Sequence, residues 1–160
     1  MNNPDVDRLL KNCSDELARI QTLIDSLGIM STVVPYLTNY ALIRACGTSE
    51  QACHSIIIDF CTRTSNAQVK NFLSQKVRVV PEYDRICKLL KEFDVTWRDT
   101  FRSEISSRSD KEQLKTSLKS LVDTRNSFAH GGNPTVSIGD VLRYFEHARQ
   151  IIVVLDNVIC

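Results

Sequence analysis

Apolar residues return at alternating intervals of four and three along much of this chain, a rhythm that fits an α-helix buried along one stripe. The first segment runs Val6, Leu10, Cys13, Leu17, Ile20, Ile24, Leu27, and the last runs Val141, Phe145, Ala148, Ile152, Leu155, Ile159. A second long segment repeats the pattern at Leu42, Cys46, Ser49, Cys53, Ile56 and Phe60, and a third does so at Leu114, Leu118, Leu121 and Phe128. Five glycines and four prolines in 160 residues leave too little turn material for an all-β sandwich. The expected fold is an all-α bundle of four main helices with short additional helices, residues 1–160 forming one domain.

Capping residues set the expected boundaries. Asn3 or Asp5 caps the first helix, with Pro4 in its opening turn, and Gly28 ends it. Gly28 to Pro35 is a connection, and the second helix spans Tyr36 to Thr64. Gly47 inside it costs about 1 kcal/mol against alanine, and close approach of a neighbouring helix is the expected reason. A short helix covers Asn66 to Val77, and Val77 to Val80 is extended because proline disfavours the helical region for its predecessor. Pro81 opens the next helix through Phe93, and Asp94 caps another carrying Trp97, Phe101 and Ile105. Ser106 to Asp110 reads as an exposed loop. The penultimate long helix starts at Ser109 or Asp110 and runs to about His130, where Gly131-Gly132-Asn133-Pro134 stops it. Ser137 begins the last helix.

The bulk chemistry excludes several roles. A net charge of +1 supplies no global basic field, so any nucleic-acid contact is local or built by two chains together. The six cysteines contain no C-x-x-C pair, which argues against zinc, and no metal or cofactor is expected. Their apolar positions suit a reducing cytoplasm. The longest apolar runs fall far short of the roughly 20 residues that span a membrane.

The penultimate helix carries the residues with chemistry. At about 100° per residue, Arg125 falls in the middle of the face defined by Leu114, Leu118, Leu121 and Phe128. A guanidinium there needs a partner. An ion pair with Glu50, which flanks the stripe of the second helix, is one account, and snorkelling to the bundle end is another. Lys111, Lys115, Lys119, Asn126 and His130 share a different, polar face, with Asp123 at its edge. A histidine at a helix C-terminus suits a cap. It equally suits proton transfer at a ribose hydroxyl, because histidine titrates near neutral pH and the lysine stripe is a plausible phosphate track. Arg125 and His130 point about 140° apart on an ideal helix, so they do not converge unaided. The last turn unwinds at Gly131, or the arginine reaches around, or two such helices meet across a two-fold interface. The third is preferred, because it also builds a basic field.

Arg125-Asn126 followed by His130 resembles the R-x4-6-H motif of the HEPN superfamily. Leu121 to Gly131 looks most like the RiboL-PSP-type members, and Ala45-Cys46-Gly47-Thr48-Ser49-Glu50 is similar to that group as well. The resemblance covers the bundle, while residues 66–108 match nothing assignable. It implies a HEPN-like homodimer that acts as a metal-independent endoribonuclease, a toxin or an antiphage or abortive-infection effector, with an antitoxin or other neutralising protein as a possible partner. Carried over by position, Arg125 stabilises the scissile phosphate, His130 is the general acid/base and Asn126 is the polar residue after the arginine. Glu50 and Asp123 are supporting residues, and Lys115 and Lys119 are candidate RNA contacts. The alternative is a catalytically inactive HEPN module that binds RNA, a nucleotide or a protein partner.

The remaining candidates read as structure. Cys53 and His54 point about 100° apart and form no thiol–imidazole pair. His147 belongs to the surface or rim, Trp97 and Phe101 to the core, and Arg143 and Arg149 to a solvated face.

Overall fold

A computed structural model describes residues 1–28, 31–63, 65–132 and 134–160. These form seven helices and no strand: α1 (Pro4–Leu27), α2 (Val34–Thr62), α3 (Ala67–Lys76), α4 (Tyr83–Phe93), α5 (Val95–Ser106), α6 (Lys111–Ala129) and α7 (Ile138–Ile159). The expected helix end at Thr64, part of the connection after Gly28, and Asn133 of the stop sequence lie outside the described residues.

α2 and α7 pack together at the centre, with α1 laid on α2 and α6 on α7. These four long helices bury one continuous core that includes Leu10, Leu17, Leu42, Ile56, Leu118 and Leu155. The paired α4 and α5 add Ile86, Leu90, Phe101 and Ile105 to it. Burial at roughly 25 cal/mol per Å² of apolar surface makes this core the main source of stability. α3 packs against α2 and buries no residue.

Local chemistry fixes the ends. Asn3 Oδ1 accepts from the Asp5 and Val6 amides, both at 3.2 Å, and Gly28 (φ 76°) ends α1. Asp94 caps α5 through the Thr96 amide at 2.7 Å. Ser137 and Asp140 form a capping box at the start of α7.

The structure departs from the sequence reading at Leu27, Phe60, Phe128, Pro81 and Gly47. Leu27 and Phe60, assigned to core stripes by spacing, are exposed, and Phe128 is only half-buried. Each lies near the end of its helix, where the partner helix no longer covers it. Pro81 does not open a helix. It is the centre of a three-residue turn, closed by Glu82 N–H on the Val80 carbonyl at 2.8 Å, and α4 starts at Tyr83. The connection from α5 to α6 is largely exposed, as expected, and the Arg108 fork pins it by holding both Asp110 oxygens at 2.9 Å and Gln150 of α7 at 2.6 Å. Gly47 is not the seat of a close helix approach, for a Cβ built there would meet no heavy atom within 4 Å.

One buried carboxylate ties the first helix to the last. Asp156 is fully buried on α7, and its Oδ2 accepts from the Asn2 amide at 2.5 Å and the Asn3 amide at 3.4 Å. Removing a charged acceptor strands the buried Asn3 amide and loosens the exposed Asn2, so Asp156→Ala is expected to cost about 2 kcal/mol. Asp156→Asn keeps an acceptor and is expected to lose less than half of that. Urea unfolding midpoints of the two variants check this order, and equal midpoints for wild type and Asp156→Ala would contradict it.

Candidate functional site

α6 keeps its helical hydrogen bonds to the end. The His130 amide donates to Asn126 O at 3.0 Å, the Gly131 amide to Phe128 O at 3.0 Å and the Gly132 amide to Ser127 O at 2.8 Å. The last two bonds form the Schellman arrangement, with Gly131 in the left-handed region at φ 82°. Glycine is required again at 132, because a Cβ there would stand 2.5 Å from Ser127 Oγ and 2.8 Å from its carbonyl oxygen. The last turn therefore does not unwind at Gly131, and His130 is the C-cap, exposed to solvent.

Arg125 turns the other way, into the junction with α2. One Nη donates to Glu50 Oε1 in an ion pair, and Nε donates to Cys46 Sγ at 3.5 Å. Cys46 and Glu50 are one turn apart on α2, so a single helix face presents both acceptors. Burial pushes the Cys46 thiol up, so it stays neutral and Glu50 supplies the countercharge. The hydrogen bond to Cys46, opposed by burial and reinforced by the Glu50 carboxylate, holds the Arg125 guanidinium above its already high ordinary value. The two side chains keep 30% and 33% of their surface, so the pair is neither sealed in the core nor fully solvated. Two of the guanidinium's donors are engaged, and the rest of the planar fork is available to a phosphate oxygen.

The structure pairs Arg125 with Glu50 and Lys119 with Asp123, and links His130 to neither pair. Asn126 is half-buried beside Arg125 on α6. The His130 ring has no side-chain hydrogen bond among the described residues and lies on the face away from Glu50. Lys119 and Asp123 pair with each other at 2.7 Å on the exposed face of α6. Lys115 lies 3.4 Å from Glu112 and stands over the Tyr83 ring at 4.6 Å. Two of the three lysines of the expected basic stripe are thus spent on local carboxylates. Arg143 and Arg149 are paired in the same way, with Asp140 and Glu146.

Sequence reading missed Cys46 as a partner of Arg125. The available signal was its position four residues before Glu50 on one helix face, hidden by its fit to the apolar stripe. His147 is half-buried at the rim, with Nδ1 2.7 Å from Ser117 Oγ, which links α7 to α6. Phe101 is buried, and Trp97 packs edge-on against Phe60 at 4.8 Å. Cys53 is fully buried with its pKa pushed up to about 12 by burial, so it is no nucleophile. No group of three His, Cys, Asp or Glu side chains among the described residues is placed to hold a metal ion. No described helix is long and apolar enough to cross a membrane.

The family model described as RiboL-PSP-HEPN matches residues 8–160. No curated protein and no solved structure matches the chain.

Proposed function

Because the chain belongs to the RiboL-PSP-HEPN family, we propose that it is a metal-independent endoribonuclease that cuts RNA as a homodimer, in the role of a cytoplasmic toxin or antiphage effector. The observation that carries this reading is the division of labour at the end of α6. Arg125 is held in orientation by Glu50 and Cys46 with part of its fork free, and five residues on His130 stands exposed on a rigid helix end.

Within one chain the two groups diverge, and two chains related by a two-fold axis would set each beside its counterpart. On α2, Tyr36, Tyr40 and Ile43 are exposed at four-three spacing, Tyr36 keeping 76% of its surface, and this apolar strip supports the reading that a second chain packs there. In the resulting cleft, the His130 imidazole takes the proton from a ribose 2′-hydroxyl as its oxygen attacks the phosphorus. The 5′-oxygen leaves and receives a proton from the imidazolium of the other chain. Arg125 donates to the phosphate oxygens as charge builds on them. The products are a 2′,3′-cyclic phosphate and a 5′-hydroxyl.

The binding-module reading draws on one observation, the engagement of Arg125 by Glu50, which is equally what a structural ion pair looks like. Incubation of the purified protein with mixed cellular RNA separates the two. Cleavage with cyclic-phosphate ends, unchanged by EDTA, is the expected result. Intact RNA, or cutting that EDTA abolishes, would remove the acid/base role of His130.

A further inference from the structure

Gly47 sits in the middle of α2, and a Cβ built there would meet no heavy atom of the described residues within 4 Å, although glycine there lowers helix stability. That space is a groove of about 450 Å³ between α2 and the extended residues 77–80. The volume falls in the range of about 300–1,000 Å³ typical of small-ligand sites. Glu50 lies on its wall, so the groove opens beside the Arg125 guanidinium.

Its lining has the chemistry of a base rather than of a phosphate. Val77, Val79 and Val80 give an apolar wall, while Gln51, His54 and Ser74 supply donors and acceptors around it. The amides of Arg78, Val79 and Val80 have no hydrogen-bond partner among the described residues, so main-chain donors remain for the edge of a flat heterocycle. Arg78, also on the lining, has no carboxylate within ion-pair distance among the described residues, whereas Lys119, Arg143 and Arg149 are all paired. The larger cavity between α6 and α7, about 550 Å³, is a poorer candidate because its Arg143 and His147 are already engaged by Asp140 and Ser117.

We propose that the groove at Gly47 is a nucleobase subsite, which takes an unstacked base of the RNA strand next to the phosphate held by Arg125. This rests on the ribonuclease reading above. Single-stranded RNA is read by splaying bases out and hydrogen-bonding their edges, and the groove offers a slot with that polarity. It also accounts for Gly47, since any side chain there would project into the mouth of the slot.

The test uses cleavage-inactive His130→Ala protein with ¹³C-labelled valine methyls, titrated with 5′-mononucleotides and with 2′-O-methyl tetranucleotides that no 2′-hydroxyl mechanism can cut. The tetranucleotides are expected to shift the Val77, Val79 and Val80 methyls and to bind more tightly than any mononucleotide. Gly47→Leu keeps a good helix former and should weaken that binding at least about tenfold, the scale of a blocked hydrophobic contact. In the His130-bearing protein, Gly47→Leu is expected to change which sequences are cut. Unmoved valine methyls, equal binding by a free mononucleotide, or full binding by Gly47→Leu would each overturn the proposal. So would loss of the dimer in Gly47→Leu, which would assign the groove to the second chain. Failure of the wild type to cut any RNA defeats the ribonuclease reading instead, while the methyl titration still decides whether the groove takes a base.

Discussion

Replacing His130 by alanine is expected to reduce RNA cleavage by roughly 10²–10⁴-fold, the usual contribution of a positioned acid/base group, and to leave the fold intact. The two halves of that statement have separate physical sources. The end of α6 is held by main-chain bonds from His130, Gly131 and Gly132, none of which involves the imidazole. The ring is exposed and makes no side-chain hydrogen bond among the described residues, so its loss removes little beyond a favourable interaction with the helix dipole. That interaction is worth about 0.3–1 kcal/mol at an exposed site. His130→Gln is the sharper control, since it retains polarity and hydrogen bonding but cannot act as an acid/base. Both variants should match the wild type in dimer mass and shift the urea midpoint by no more than that small loss, while failing to cut labelled RNA. A variant that cuts at the wild-type rate would leave His130 as a cap and nothing more.

The parts of this molecule that were legible in the sequence are those governed by period and capping. Asn3, Gly28, Asp94 and Ser137 mark helix ends through chemistry local to a few residues, and each stands where its side chain or backbone freedom requires. The buried stripes of α1 and α7 follow for the same reason, since 3.6 residues per turn decides which positions share a face. What spacing does not carry is the identity of the facing helix. Leu27 and Phe60 satisfy the period yet lie beyond the cover of their neighbours, and Gly47 faces open space where a helix crossing was expected. The candidate site divides along the same line. The position of Arg125 on an otherwise apolar face pointed to a partner, and Glu50 is that partner. The contribution of Cys46 was masked, because a buried thiol and a small hydrophobe have the same sequence signature. The pairing of Lys115 with Glu112 and of Lys119 with Asp123 was legible from their spacing of three and four on one helix, and the reading of the lysine stripe as a phosphate track passed over it.

Arg125→Met is expected to abolish cleavage, by roughly 10²–10³-fold if the guanidinium acts as an electrostatic donor to the phosphate, with a stability cost that a second substitution removes. The single variant leaves Glu50 facing Cys46 without its countercharge. With the pair about one-third exposed, that costs about 1–2 kcal/mol, between the values for solvated and buried pairs. Adding Glu50→Met replaces both charges by apolar groups of similar length. Such double replacements are commonly neutral or better, because neither charge must then be desolvated. A pair that serves only packing would therefore be restored by the double variant in midpoint and in function alike. A guanidinium that serves RNA would be restored in midpoint alone. Arg125→Lys separates the cases further. One ammonium cannot reproduce a planar fork that bonds Cys46 and Glu50 while presenting remaining donors outward, so this charge-preserving change should still lose most of the activity. Thermal or urea midpoints together with cleavage rates for the four proteins make the comparison. Full cleavage by Glu50→Met/Arg125→Met would reduce the junction of α2 and α6 to bundle packing, whereas a stable and inactive double variant would place the guanidinium at the phosphate.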